Sequence, residues 1–332
     1  MQRIVQIKND IGFICAASCG GLEESRGPLG NKFDFCDTSD LFGQKTWELA
    51  EGEMARICLN IALKKAGISN LDLTLIAAGD LQNQCAATAL GLHSFSVPFL
   101  GLYGACSTCA ESLLSLSAFM DSHEELDVCA AVTSSHNATA ERQFRTPLEY
   151  GGQRAMTAQW TATAAGAFLL GRNAGRVKIR DFLVGRIVDG ATSDASNMGP
   201  AMAFAAADTV INYFESSEIS PREFDLIITG DLGYCGTSLL HELLSKKDPY
   251  LSSIHKDSAL LLYDDKKQDA HSGASGCGTS ASVLACHFLP MLEERKLKRV
   301  LFMSTGALMN STTTLQGQNI LGIAPALRIE RE

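Results

Sequence analysis

The chain has no surplus of basic charge. Against 28 Lys and Arg stand 37 Asp and Glu, a formal net charge of −9 with a pI near 5.3. Without a basic stripe to neutralise phosphates, direct nucleic-acid binding is not expected. Long apolar runs are missing as well. The longest, such as Ala162 to Leu170, fall well short of the roughly 20 residues that span a bilayer. The opening segment, Met1 to Asp10, carries Arg3, Lys8 and Asp10 and lacks the apolar stretch of a signal peptide. No Walker sequence occurs, and no G-x-G-x-x-G opens a helix after a strand, which argues against a nucleotide site. There is no low-complexity segment and no Pro/Gly/Ser linker. The 11 cysteines are an odd count, and several (Cys58, Cys129, Cys286) lie inside apolar segments. That pattern suits free thiols in a reducing compartment rather than a disulfide framework. The expectation is a soluble, cytoplasmic protein.

What the sequence does contain is an ordinary globular composition, 46% apolar and 20% charged over 332 residues, enough for two domains or two packed halves. Short apolar runs alternate with helical patterns, the mark of βαβ units around a mostly parallel sheet. In the first half, strands are predicted at Gly12–Ala17, Leu73–Ala78, Val97–Leu100, Val128–Thr133 and Ala164–Leu170. Helices are predicted over Thr46–Ala66, Gln84–Leu90 and Cys106–Phe119. The first helix repeats apolar residues at Leu49, Met54, Ile57, Ile61 and Leu63, with Gly67 at its end. In the second half, strands are predicted at Val177–Val188, Leu226–Thr229, Ala259–Tyr263, Val300–Ser304 and Ile320–Ile329. Helices are predicted at Ala201–Phe214, around Ser238–Ser245, and from the small-residue segment Ser272–Ser282 to Glu294.

An internal duplication is visible. Asp72-Leu-Thr-Leu-Ile-Ala-Ala-Gly79-Asp80 and Asp225-Leu-Ile-Ile-Thr-Gly230-Asp231 are near copies of a buried strand ending in Gly-Asp. Each precedes a helix rich in small residues, Gly104-Ala-Cys-Ser-Thr-Cys-Ala110 and Gly273-Ala-Ser-Gly-Cys-Gly-Thr-Ser-Ala281. Small side chains allow close approach, so these two helices are expected side by side at the centre. The halves divide at a turn near Gly171 to Gly175, giving units 1–172 and 173–332.

Cys106 is the residue best placed for chemistry. It follows an apolar strand and a glycine turn at the start of a helix, where the helix dipole and free N–H groups favour a thiolate. Such a thiolate could carry an acyl group; a buried thiol that merely packs is the structural alternative. Cys106 and Cys109 also form a C-x-x-C pair, which could be redox-active or hold half a metal site, but no second pair occurs and no His falls at ligand spacing. Ser134, Ser135 and His136 follow a strand directly, at the mouth of a parallel sheet where ligands bind; loop capping would explain them equally. His271 precedes the second small-residue segment and could act as base or oxyanion donor toward Cys106. Arg142 and Arg145 could clamp a carboxylate in a bidentate manner or form local ion pairs. His93, His123, His241, His255 and His287 read as structural.

The segment Gly104-Ala-Cys106-Ser-Thr-Cys-Ala-Glu-Ser-Leu113 resembles the nucleophile segment of ketoacyl synthases and thiolases. His271-Ser-Gly-Ala-Ser-Gly276 resembles their Gly-His-x-x-Gly-Ala-x-Gly segment, and Ser304-Thr-Gly306-Ala-Leu308 their glycine-rich C-terminal turn. The resemblance implies the thiolase fold: an α/β protein of five layers, αβαβα, built from two pseudo-twofold halves. The match narrows further across Arg26-Gly-Pro-Leu-Gly30, Leu102-Tyr-Gly-Ala-Cys106, Thr133-Ser-Ser-His-Asn137, Glu149-Tyr-Gly-Gly-Gln153 and Ala205-Ala-Ala-Asp-Thr209. These are similar to the stage V sporulation AD family of endospore-forming bacteria. That resemblance implies dipicolinic acid as ligand, with or without calcium, and calcium only as part of the ligand. It implies loading of that acid into the spore with membrane proteins of the same operon, and a place on the spore's inner membrane. No other cofactor is implied, and a homodimer is expected as in thiolase-fold proteins generally. One departure matters. Ketoacyl synthases carry a first histidine after the second-half strand, where this sequence has Thr229-Gly230-Asp231. A condensing site without it lacks an electrophilic donor, which favours a binding role for the Cys106 pocket over an active acyltransferase using Cys106 and His271.

Overall fold

The computed structural model describes residues 3–144 and 154–332. Its principal elements, in chain order, are β1 (Ile11–Gly20), α1 (Trp47–Ala66), β2 (Leu75–Gly79), α2 (Ala86–Leu92), β3 (Phe99–Gly101), α3 (Thr108–Ser122), β4 (Val128–Ser135), α4 (Asn137–Phe144) and β5 (Ala164–Arg172). There follow β6 (Val177–Leu183), α5 (Gly199–Ser216), β7 (Leu226–Thr229), α6 (Gly233–Lys247), β8 (His255–Asp257), α7 (Cys277–Val283), β9 (Arg299–Met303) and β10 (Ala326–Arg331).

The strands run in the order β8-β7-β9-β10-β6-β1-β5-β4-β2-β3. The row divides at its middle into two five-stranded sets joined through one residue pair, Gly12 with Lys178. Each set repeats the other. β2 lies parallel between β3 and β4, which pairs antiparallel with β5 and through it with β1. β7 lies parallel between β8 and β9, which pairs antiparallel with β10 and through it with β6. The near-copied sequences thus occupy equivalent strands, β2 and β7.

Three cores separate the layers. α1 lays Met54, Ala55, Cys58 and Leu59 on the outer face of the first sheet, against Ala17, Val132 and Leu169. Its first turn is capped by Thr46 Oγ1, which accepts from the Leu49 N–H at 3.4 Å, and it ends at Gly67 in the left-handed conformation (φ 70°). The central layer holds α3 and the helix beginning at α7, whose Leu113, Leu116, Val283 and Leu284 meet Phe168, Ile179 and Phe302. On the far side, Ala203, Ala206, Val210 and Tyr213 of α5 and Leu240 and Leu244 of α6 cover Ile227 and Leu301. The layers are helix, sheet, helices, sheet, helices.

Several expected bounds shift, and one element changes type. The run Ala259–Leu262 is a helical turn, and the strand lies just before it at His255–Asp257. An apolar run of four does not distinguish strand from helix, and the true edge strand is polar because its side chains enter a buried hydrogen-bond network. The predicted strand Val177–Val188 stops at Leu183; Val188–Asp189 pairs instead with Leu321–Ile323. Likewise Ile320–Ile329 is two strands, Leu321–Ile323 and Ala326–Arg331. The two small-residue helices do meet at the centre: Ser304 Oγ donates to Ser280 Oγ (3.1 Å) on α7 and accepts from the Ala110 N–H (3.3 Å) on α3. No helix among the described residues is long and apolar enough to cross a membrane.

Candidate functional site

Cys106 sits on a tight corner. β3 ends at Gly101, a short 3-10 turn spans Ala105–Ser107, and α3 begins at Thr108. Ala105 takes a left-handed φ of 53°, a conformation that costs a non-glycine residue roughly 1 kcal/mol. Hydrogen bonds hold it there: Thr108 Oγ1 donates to the Ala105 carbonyl (2.7 Å), and the Ser107 N–H donates to the Gly104 carbonyl (3.1 Å). Gly104 leaves room for the Glu111 carboxylate, which a Cβ there would meet at 2.0 Å and displace. The strained corner turns the Cys106 side chain toward the second half of the molecule.

There it meets Asp231, in the corner that follows β7. The Asp231 carboxyl, the Ser275 hydroxyl and the Gly276 N–H are the polar groups that act on the thiol. Asp231 is anchored from three other directions. The Gly276 N–H donates to Oδ2 (2.9 Å), Ser275 Oγ donates to Oδ2 (3.4 Å), and Thr305 Oγ1 donates to Oδ1 (2.9 Å). Gly276 has φ 95°, and a Cβ there would lie 2.7 Å from Ser135 Oγ. Burial pushes the Cys106 thiol well up from its ordinary value, and the adjacent Asp231 carboxylate pushes it further. Burial and the facing acid thus oppose the thiolate that the helix start was expected to favour. Burial also raises Asp231, to about 6.

The remaining candidates take separate places. His271 lies at the start of the second small-residue segment, with Nδ1–H donating to the Ala155 carbonyl (2.8 Å) and Nε2 2.8 Å from Asp269 Oδ1. The groups acting on the Cys106 thiol are Asp231, Ser275 and Gly276. Ser134 Oγ donates to Glu51 Oε1 (3.3 Å), and its carbonyl accepts from the Cys277 thiol (2.9 Å). Ser135 Oγ donates to the Ala162 carbonyl (2.7 Å) and accepts from the Gly278 N–H (3.2 Å). The Ser134 carbonyl and the Ser135 hydroxyl thus join the first half to the helix beginning at Cys277 in the second. His136 accepts the Ala138 N–H at Nδ1 (3.2 Å), donates from Nε2 to the Asp40 carbonyl (2.9 Å), and stacks at 5.3 Å on Trp47. Burial lowers its pKa. Arg142 is exposed and ion-paired with Glu48. Arg145 lies outside the described residues. Cys109 of the C-x-x-C pair is buried against Ser304 and Ser280 rather than beside Cys106.

Over Cys106 lies a narrow cavity of about 40 Å³ walled by Leu81, Ala140, Phe144, Met198, Ala307 and Met309; among the described residues, Glu141 is the one charged side chain lining it. Behind the thiol, Cys277 and the buried carboxyls Glu51 and Asp80 extend the acidic interior. Glu51 accepts from Gln82 Nε2 and Thr139 Oγ1, each at 2.8 Å. Burial and Asp80 raise its pKa. On the other side, a row of hydrogen bonds leads outward from the Thr229 corner. Thr229 Oγ1 donates to Asp257 Oδ2 (2.6 Å) and accepts from His255 Nε2 (2.7 Å), and His241 Nε2 donates to His255 Nδ1 (2.9 Å). Burial lowers His255 to about 3 and raises Asp257 to about 7.

Asp231 is the neighbour of Cys106 that the sequence motifs did not single out. It stands two residues beyond Thr229, in the slot noted for its missing histidine. The duplicated Gly-Asp ending was the available signal, because its first-half copy, Asp80, is also buried.

Two joined five-stranded sets, a central helix pair and a cysteine on a strained corner define the class: this is a thiolase-fold protein. Its fold matches cerulenin-bound OleA of Xanthomonas campestris at a TM-score of 0.62, with 13% identity over 98% of this chain and 100% of that one. It matches 3-oxoacyl-[acyl-carrier-protein] synthase III of Aquifex aeolicus at 0.60, with 13% identity over 96% and 99%. At such identities the likeness extends to the fold alone. The family model for Stage V sporulation protein AD (SpoVAD) matches residues 1–330. Stage V sporulation protein AD of Bacillus subtilis (strain 168) is 40% identical over 317 residues, 95% of this chain and 93% of the relative. The chain belongs to the stage V sporulation protein AD family.

Proposed function

We propose that this chain uses the pocket of a condensing fold to bind rather than to condense. In this reading it captures dipicolinic acid, free or as its calcium chelate, over Cys106. With membrane-embedded proteins of its operon, it supports uptake of that acid into the developing spore. It works as a homodimer at the periphery of the spore's inner membrane. Family membership supports the sporulation setting.

The observation that carries the binding role is the partner of Cys106. A condensing enzyme needs a thiolate and hydrogen-bond donors aimed at the developing oxyanion. Here the thiol faces a carboxyl group that pushes its pKa up, and the slot after β7 supplies an acceptor in place of a donor. Acyl transfer through Cys106 is the competing reading.

Equilibrium dialysis of purified protein against dipicolinate, with calcium and with EDTA, tests the proposal; saturable binding is expected, and none at millimolar ligand overturns it. Intact-mass measurement after incubation with acyl-CoA substrates distinguishes the competitor, since an adduct lost in Cys106→Ser would establish an enzyme. Light scattering tests the dimer, and co-purification from sporulating membranes tests the partners.

A further inference from the structure

The Cys106 cavity does not end at its walls. Phe144, Met309 and Ala105 also border a second cavity of about 220 Å³, so the two share one boundary. The outer cavity differs in chemistry. Among the described residues, its lining sets the polar, uncharged Asn83, Tyr103, Gln143, Asn310 and Ser311 beside the apolar Ala105, Phe144, Leu308 and Met309. At about 40 Å³ the inner chamber alone has room for no more than a few waters. An aromatic diacid held over Cys106 must therefore extend past Phe144 and Met309 into the outer one.

The hydrogen bonds of the outer chamber orient its amides, the single Tyr103 hydroxyl proton being shared between Asn83 Oδ1 (3.1 Å) and the Leu81 carbonyl (3.3 Å). Asn310 caps the helical turn Ser311–Leu315: its Oδ1 accepts from the Thr312 N–H (2.9 Å) and the Thr313 N–H (3.3 Å). Asn83 Oδ1 accepts from the Tyr103 hydroxyl (3.1 Å), and Gln143 Nε2 donates to the same hydroxyl (3.1 Å). With both carbonyl oxygens engaged, each asparagine has its NH₂ group left to offer. Two amide donors suit a carboxylate oxygen pair.

We infer that this outer chamber is the carboxylate-recognising half of the ligand site: Asn83 and Asn310 donate to one carboxylate of a planar aromatic diacid whose ring passes between Phe144 and Met309. The inference rests on the binding role proposed above and adds to it the residues that select a second carboxylate. A ring between a phenyl group and a thioether gains stacking and sulfur–aromatic contact. A hydrogen bond to a charged group contributes enough for about tenfold or more in affinity.

The test compares pyridine-2,6-dicarboxylate with pyridine-2-carboxylate, by calorimetry on the full chain, in whichever calcium condition the wild type binds. Asn310→Asp and Asn83→Asp keep the accepting oxygen, so the cap and the Tyr103 bond survive, and circular dichroism checks the fold. Asn310→Ser retains a capping oxygen and removes the NH₂ without adding charge. Each substitution is expected to weaken the diacid at least tenfold and the monoacid less than threefold, with Asn310→Ser the mildest. If the wild type binds the diacid and the substitutions leave it unchanged, or weaken both acids equally, this inference is overturned while the binding role stands. If the wild type binds neither acid, the binding role itself fails.

Discussion

Replacing Asp231 with asparagine probes the centre of the site with little change of shape. The amide oxygen can keep the Gly276 N–H and the Ser275 hydroxyl, and the amide nitrogen faces Thr305 Oγ1, which can accept. What disappears is the charge. Asp231 is fully buried, and burial lifts it from 3.8 to about 6. A carboxyl with a raised folded pKa holds its proton more tightly in the fold than in the unfolded chain. Its contribution is most favourable below the unfolded value and is lost as pH rises from about 4 through about 6. A gap of about two decades at ~1.4 kcal/mol each corresponds to ~3 kcal/mol above pH 7. For a chain of this length, an unfolding entropy of ~0.7 kcal/mol per kelvin makes that a shift of about 4 °C. The difference in stability between Asp231→Asn and wild type should therefore climb between pH 4 and pH 7 and then level, whatever constant offset the altered hydrogen bonds add. Urea denaturation across that range measures it. Alkylation of Cys106 by iodoacetamide, followed by peptide mass spectrometry at pH 7.5, should also quicken in the variant, because the facing charge is gone. A stability difference that is flat or falls with pH, together with unchanged alkylation, would refute the assignment of Asp231 as the thiol's controlling neighbour.

Three further outcomes follow from the same physics. Glu51→Gln should gain stability over wild type as pH rises above the ordinary carboxyl range, because burial and Asp80 raise the native group; thermal melts at pH 4 and pH 8.5 check it, and equal shifts would contradict it. Gly91→Ala should destabilise by at least ~2 kcal/mol, since the new Cβ would stand 2.0 Å from the Gly52 carbonyl where α2 crosses α1; a neutral substitution in urea titration would show that the helices can separate. Thr229→Val removes the acceptor of buried His255 and a donor to Asp257. A loss of ~2–3 kcal/mol is expected from the stranded groups, and chemical denaturation showing no loss would dismiss that network as incidental.

The elements legible in the sequence were those whose burial is uniform. β4 and β5 read as apolar runs because helices cover both faces, and α1 read as a helix because one stripe alone enters the core. β8 was hidden since His255 and Asp257 are buried for their hydrogen bonds, which an apolarity pattern does not register. The fold itself came through the Gly-Ala-Cys segment and the duplicated Gly-Asp strands, whose small residues mark close approach. The site was less legible. Cys106 announces itself through the glycine turn before it, but its partner arrives from a strand 125 positions later, and nothing local to Asp231 indicates which way its corner faces. Ser134, Ser135 and His136 stand at a strand end, as binding groups do, yet their bonds go to Glu51, Ala162 and Asp40.

The row from His241 through His255 and Thr229 to Asp257 has a kinetic meaning as well as a structural one. Every interior member is at once donor and acceptor, so moving each proton one place along the row delivers one to a carboxyl that solvent does not touch. An acid walled into the second sheet can then equilibrate with bulk water while the sheet around it stays closed. The observable signature is a split in timescale: the carboxyl resonance of Asp257 following a pH jump promptly, while the backbone amides of β7 and β8 exchange only at the pace of core opening.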